Sequence, residues 1–446
     1  MISHTQNGEA VKPAPEPDTD IPFVSLSYTS DPSASEASAR ALILALRPEW
    51  ASPPAKIEFV RFTDGITNTL LKAVNRAPGL SPDDVDREAI LLRAYGHGTD
   101  IIIDRQREAQ NHELLMRHGL APELLARFQN GMMYRFIRGR VSTPADLRRP
   151  PVYRAVARRL ATWHATVPCI PGKTHISERM GSHCRDSLTN GAGEDGEVDL
   201  QSVIDGVAPG KAPPNVWTVM QKWIFALPHD TEAQRARRTR LQAELTALVR
   251  ELSQRPGLGK DGLVFAHCDL LSGNVIVLPK GSDGTNGVVP AGGDDKATES
   301  VTFIDYEYAT PSPAAFDLAN HFAEWGGFDC DYGVLPTRAQ RREFIAEYVR
   351  SYSGLLEKQE KETQGGERAD VDALMEEVDL FRGLPGFYWG IWALIQATIS
   401  EIDFDYASYA ETRLGEYWAW RAEADGSRAA AGEEMPLRER RWAQEE

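Results

Sequence analysis

Residues 264–308 hold the pattern that most limits what this chain can become. Val264-Phe-Ala-His267-Cys-Asp269-Leu-Leu-Ser-Gly-Asn274-Val-Ile-Val is followed by Val-Thr-Phe-Ile304-Asp305-Tyr-Glu307-Tyr. The apolar runs at 263–266, 274–278 and 301–304 have the length and composition of short buried strands. His267, Asp269, Asn274 and Asp305 therefore fall where strands give way to loops, which is where reactive groups usually sit. A fold that accommodates this pattern must bring two separated loop acids and one amide to a single cleft.

That spacing suits one kind of chemistry. Phosphoryl transfer needs the charge of the migrating group neutralised by a divalent cation, while an acceptor hydroxyl is held in line and its proton is accepted. Asp269 would orient the hydroxyl and take the proton, Asn274 and Asp305 would give hard oxygens to magnesium, and His267 would brace the loop. A lone His-x-Asp is more often a loop histidine bonded to a carboxylate. The combination of His-x-Asp-x4-Asn with a strand-final aspartate selects an ATP-dependent phosphotransferase.

Composition sets the remaining bounds. The 446 residues are 42% apolar and 26% charged, ordinary for a globular protein with a large core. A net charge of −16 argues against holding nucleic acid or an anionic membrane by general electrostatics, and favours a cationic or neutral small substrate. The four cysteines lack metal-ligand spacing, which predicts reduced thiols and a cytoplasmic location. No signal peptide is expected, and the longest near-apolar run, 387–399, is too short to span a bilayer.

The expected architecture is α+β, a protein-kinase-like two-lobed fold with a small strand-rich N-terminal lobe and a larger, mainly helical C-terminal lobe. Residues 1–35 are rich in Pro, Ser, Thr and acidic residues and are expected to form a disordered tail. The nucleotide-binding lobe is expected at 36–139. In it, Asp64-Gly65-Ile-Thr67-Asn68 forms a hairpin tip, either a plain turn or one that turns backbone N–H groups toward phosphates. Arg93 is the one inward charge of a third strand, and Glu108 lies on the amphipathic helix 104–118. Together they would recreate an ATP-positioning ion pair, although a strand-end arginine can also be simply solvated. A strand from Met132 to Gly139, with Tyr134 and Ile137, would contact the adenine between the lobes. The catalytic and acceptor lobe is expected at 140–425, interrupted by a low-complexity hairpin loop at 279–300 and a charged insert at 357–370, with a fraying polar tail at 426–446.

These segments, in order, resemble the choline/ethanolamine kinase family over roughly residues 36–422, and most closely its ethanolamine branch. The motifs carrying the resemblance are Asp64-Gly-Ile-Thr-Asn68, Leu92-Arg93-x-Tyr-Gly96, His118-Gly-Leu-Ala-Pro122, Phe265-x-His267-x-Asp269-Leu-Leu-x-x-Asn274, Phe303-Ile-Asp305-Tyr-Glu307-Tyr and Phe316-Asp317-x-x-Asn320-His321-Phe322-x-Glu324-Trp325. The resemblance implies ATP and Mg2+ as cofactors and an amino-alcohol acceptor, with the product entering phosphatidylethanolamine or phosphatidylcholine synthesis. It also implies an ammonium pocket walled by Trp389, Trp392 and Tyr409, with Glu324 as its acidic member and Glu307, Asn320 and Trp325 beside it. Tryptophans three apart on an apolar helix can equally be core. Leu271 stands where choline-type relatives carry glutamine, which favours ethanolamine, with choline or another small acceptor as the alternative. Residues 326–332 do not reproduce the tyrosine that follows Glu-Trp in choline-type members. An inactive kinase-like scaffold and a homodimer are left open.

Overall fold

The computed structural model of the chain describes residues 21–62, 68–96, 98–169, 199–280, 299–360, 370–400 and 402–446. Eleven strands are present among them: β1 (Phe23–Val24), β2 (Ile57–Phe62), β3 (Asn68–Asn75), β4 (Ile90–Tyr95), β5 (Leu124–Phe128), β6 (Gly131–Arg135), β7 (Arg140–Val141), β8 (Val264–Ala266), β9 (Val275–Val277), β10 (Val301–Phe303) and β11 (Thr310–Ser312). The first six form one sheet in the order β1-β5-β6-β4-β3-β2, antiparallel except for β1 beside β5. Side chains alternate across this sheet with period two. Ile90, Leu92 and Ala94 of β4 join Met133 of β6 in a core covered by Ala39, Leu42 and Ile43 of the helix Ser35–Leu46. Arg93 and Met132, a register pair, are thereby turned to the opposite face, toward the helix Arg105–Arg117.

Beyond residue 135 the chain becomes mainly helical. The helix Pro150–Thr166 presents Val152, Val156, Leu160 and Trp163 at helical spacing to a large core shared with Arg338–Glu360, Leu384–Ile399 and Tyr406–Ala424. Leu384–Ile399 and Tyr406–Ala424 lie so close that a Cβ on Gly386 would meet the Arg413 carbonyl at 2.6 Å, and one on Gly390 would meet the Leu414 side chain at 2.6 Å. Two small sheets carry the reactive loops: β8 pairs with β11, and β9 lies between β10 and β7. The β7–β9 pairing stitches the segment leaving the large sheet onto the reactive hairpin, and it requires glycine at 139, where a Cβ would sit 2.3 Å from Ile276 and 2.8 Å from the Val277 carbonyl. No helix among the described residues is long and apolar enough to cross a membrane.

Several expected boundaries move. Residues 21–34 are not a disordered tail: Phe23 and Val24 pair with Arg127 and Phe128, and Tyr28 is buried, its backbone N–H and C=O both bonded to the Asn130 side chain at 2.9 Å. The strand expected to run to Gly139 ends at Arg135. Glu357, expected in an insert, extends the helix Arg338–Glu360, and Asp370 caps the next helix through a bond from Ala373 N–H. Leu278 and Ser300 close the β9–β10 hairpin, while most of the 279–300 loop, 281–298, lies outside the described residues. The segment 426–446 is packed in part. Its helix Leu437–Ala443 buries Trp442 beneath the Arg341 guanidinium, 3.8 Å from the ring centroid, and the indole N–H donates to Asp379 at 2.7 Å.

Burial of Trp442 predicts a measurable contribution from the C-terminal segment. Trp442→Ala is expected to lower unfolding free energy in urea by about 3 kcal/mol; a change below about 0.5 kcal/mol, the usual effect at an exposed site, would show that the segment is not packed.

Candidate active site

The loop after β8 is shaped by a carboxylate to which the sequence reading gave no role. Asp317, in the first turn of the helix Ala314–Ala323, accepts the backbone N–H of His267 at 2.9 Å and of Cys268 at 2.8 Å, and bonds His164 Nε2 at 3.0 Å. Burial alone would raise its pKa, but His164, His267 and the backbone N–H donors hold it below the usual carboxylate range, so it stays ionised. These bonds hold Cys268 at φ 63°, a left-handed conformation costly for a residue with a side chain, and the next residue, Asp269, lines a cavity between the lobes. His267 Nδ1 accepts Asp269 N–H at 3.3 Å, which leaves Nε2–H to donate to the Ile304 carbonyl at 3.0 Å. Burial lowers its pKa to about 4. His267, expected to brace the loop within the catalytic set, links the two reactive loops as a neutral imidazole.

Asp269, Asn274 and Asp305 all line one cavity of about 320 Å³. Asn274 Nδ2 donates to the Asp269 carbonyl at 2.8 Å and to its carboxylate at 3.1 Å, and Asn274 Oδ1 accepts no hydrogen bond among the described residues. Asp305 adopts φ 66° and bonds Arg93 Nη2 through Oδ1 at 2.7 Å. Burial, then the charges of Asp305, Glu324 and Glu307, push the Asp269 carboxyl well above its ordinary pKa. Burial lifts Asp305 to about 6, with Arg93 pulling downward and Glu307 upward.

Arg93 pairs with Glu108 at 3.0 Å, as expected, and also with Glu307 at 2.5 Å. Arg105, absent from the sequence reading, joins Glu108 at 2.8 Å and Glu307 at 3.3 Å and stacks over Tyr95. Asn68 donates to Glu307 at 2.9 Å. Glu307, expected beside the acceptor, thus belongs to the charge network between the lobes. Tyr134 lies against Arg93 and His112, its phenol raised to about 12 by burial and therefore protonated, whereas Ile137 packs with Ile276, Leu278 and Ile304 at the apolar end of the cavity. Phe62 and Phe136, stacked with centroids 6.4 Å apart, complete that end. Asp64, Gly65 and Thr67 lie outside the described residues.

At the other end stand Glu324, Trp389, Trp392 and Tyr409, together with Tyr308 and Phe328, which the sequence reading did not single out. The indole N–H groups are anchored, Trp389 to Asn320 Oδ1 and Trp392 to the Tyr308 hydroxyl, each at 2.8 Å, and the two rings meet edge to face at 5.4 Å. Phe328, in the stretch 326–332 that does not reproduce the tyrosine of choline-type members, packs on Tyr409 at 6.1 Å. Two expected acceptor residues sit behind this wall. Asn320 is fully buried, its Nδ2 donating to the Cys268 carbonyl at 2.9 Å, and Trp325 packs against Tyr153 and Phe322 in the core.

A strand-rich lobe and a helical lobe, with an asparagine-held aspartate and an arginine-held aspartate lining the cavity between them, define a protein-kinase-like phosphotransferase. Residues 59–418 match the family described as choline/ethanolamine kinase. The chain is 30% identical over 400 residues to a probable ethanolamine kinase of Nematostella vectensis, covering 88% of this chain and 95% of that one. It is 31% identical over 393 residues to ethanolamine kinase 1 of Homo sapiens, covering 86% and 72%. Its fold is similar to that of a Plasmodium vivax ethanolamine kinase, with a TM-score of 0.60 at 22% identity, over 87% of this chain and 89% of that one. It is also similar to that of a Cryptosporidium parvum choline kinase, with a TM-score of 0.56 at 19% identity, over 87% and 97%. The chain belongs to the choline/ethanolamine kinase family, whose members use ATP.

Asp269 supplies the prediction. Because its folded pKa is raised, its ionisation destabilises the native state as pH rises through that pKa, and a neutral amide removes the penalty. Asp269→Asn is expected to lower kcat by about 10²–10⁴-fold while leaving Tm at pH 7 equal to or above wild type; turnover within about tenfold of wild type would remove the base assignment.

Proposed function

We propose that this enzyme transfers the γ-phosphoryl group of ATP to the hydroxyl of ethanolamine, giving phosphoethanolamine for phosphatidylethanolamine synthesis. The observation that carries the reading is the position of Asp269, which shares one cavity with the Asn274 and Asp305 oxygens and with the carboxylate and aromatic wall of Glu324, Trp389, Trp392 and Tyr409.

The donor set fits magnesium. Asn274 Oδ1 accepts no other bond among the described residues, and Asp305 and Asp269 are carboxylates whose mutual repulsion a cation relieves. Asn274 and Asp305 would hold such a cation, which would neutralise charge on the migrating group. Asp269, steadied by Asn274, accepts the proton of the acceptor hydroxyl, and Arg93, fixed by Glu108 and Glu307, presents positive charge beside Asp305. The apolar end around Ile137, Phe62 and Phe136 receives the nucleobase.

Ethanolamine is favoured over choline on three grounds. A primary ammonium brings N–H donors, and Glu324 Oε2 accepts no hydrogen bond among the described residues. Leu271 lines the cavity with an apolar side chain. The two sequence relatives above, at 30% and 31% identity, carry ethanolamine kinase in their names. In a panel of acceptors with labelled ATP, kcat/KM is expected to be at least about tenfold higher for ethanolamine than for choline. Equal or higher efficiency with choline would overturn the choice of acceptor, and no transfer to any amino-alcohol would overturn the reading altogether.

A further inference from the structure

A buried chain of alternating charges leads away from the amine end of the cavity. Glu324 Oε1 is 3.3 Å from Arg413 Nη1, Arg413 Nε is 3.4 Å from Glu416 Oε2, and Arg438 Nε approaches that same oxygen at 3.8 Å. Arg438 Nη1 is 2.9 Å from Glu439 Oε1, and Arg382 Nε closes on Glu439 Oε2 at 2.9 Å. Glu324, Arg413, Glu416, Arg438 and Glu439 are each less than a tenth exposed. The chain thus starts at a group facing substrate and ends in the helix Leu437–Ala443, and the mechanism above uses only its first member.

Burial makes these charges sensitive to one another, because little water is present to screen them. Arg413 is shared three ways: between Glu324, Glu416 and the Tyr409 hydroxyl, the last at 3.3 Å. Glu416 is fixed from its far side by Arg438 and by the Tyr332 hydroxyl at 3.1 Å. Charge alone then ranks the possible states of the pocket. Glu324, Arg413 and Glu416 together carry −1. Without Glu416 the same group is neutral, and with Arg438 added it is neutral again.

Resting on the ethanolamine reading, we propose that Glu416 is a positioning residue that sets the charge of the amine site. By holding part of Arg413, it leaves Glu324 negative enough to capture a substrate ammonium, and Arg438 of the C-terminal helix moderates this effect from behind. Tyr409 is held by the same guanidinium, so the aromatic wall and the carboxylate are set together. A residue that merely supports the fold would impair the enzyme whichever way it is altered. A charge-setting chain gives opposite signs at successive positions.

The experiment uses the full chain and measures kcat and KM for ethanolamine at saturating ATP and magnesium, with KM for ATP as control. Glu416→Gln is expected to raise the ethanolamine KM about fivefold and Arg438→Gln to lower it about twofold, with kcat and the ATP KM within about twofold of wild type in both. Glu416→Asp, which keeps the charge, is expected to lie near wild type. A KM raised alike by Glu416→Gln and Arg438→Gln, or unmoved by both, overturns the proposal. Should Glu416→Gln not fold, the sign at Arg438→Gln decides, since a rise or no change there contradicts the chain. A wild-type enzyme that does not phosphorylate ethanolamine sinks the acceptor reading itself, and this inference with it.

Discussion

The site depends on one carboxylate that never touches substrate. Asp317 receives two successive backbone N–H groups and a histidine, and those bonds stabilise the left-handed turn that precedes Asp269. Each buried donor left unpaired by its loss would cost about 1–3 kcal/mol. The helix bearing Asp317 also takes the Cys268 carbonyl through Asn320 and the Leu270 carbonyl through His321, and Asn320 anchors Trp389. One short helix therefore fixes the loop bearing Asp269 and the aromatic wall in a common frame, as the proposed alignment of an acceptor hydroxyl with Asp269 requires.

Around that frame the cleft holds more negative charge than its own cations balance. Arg93 and Arg105 face Glu108, Glu307, Asp305 and Asp269, and burial first, then the neighbouring carboxylates, raise the pKa values of Asp269 and Asp305. Such an arrangement is poor for stability and good for binding a divalent cation with its nucleotide. Of the four non-glycine residues with positive φ among the described residues, Asp261, Cys268, Asp305 and Cys330, two sit beside or at the reactive acids, Cys268 and Asp305, so conformational and electrostatic costs meet there. Packing elsewhere, where glycines let helices approach within side-chain reach, offsets them.

What could be read from the sequence follows from how local its causes are. The spacing of Asp269, Asn274 and Asp305 and the apolar runs flanking them are local, so the reactive loops and their strands were legible, as was the Arg93–Glu108 pair on a strand and a helix of clear periodicity. The charge network around Glu307 was not legible, because its partners, Arg93, Arg105 and Asn68, come from distant segments. Asn320 and Trp325 lie on and just beyond a helix buried on every side, where helical spacing cannot tell a pocket from a core. The segments 21–34 and 426–446 looked disordered because they are polar and lack a period. They are held by long-range contacts, among them an asparagine clasping Tyr28 and an arginine capping Trp442, that no local pattern announces.

The central claim is that Asp305 and Asn274 hold a cation whose nucleotide lies within reach of Asp269. Thermal unfolding of wild type and Asp305→Asn, each with and without ATP and magnesium, tests it most directly. Ligand at about 100 times its Kd stabilises the folded state by about 2.7 kcal/mol, so wild-type Tm is predicted to rise by several degrees, while Asp305→Asn, compared with its own ligand-free baseline, shows little or no rise. An equal rise in both proteins, or none in wild type, would contradict the account.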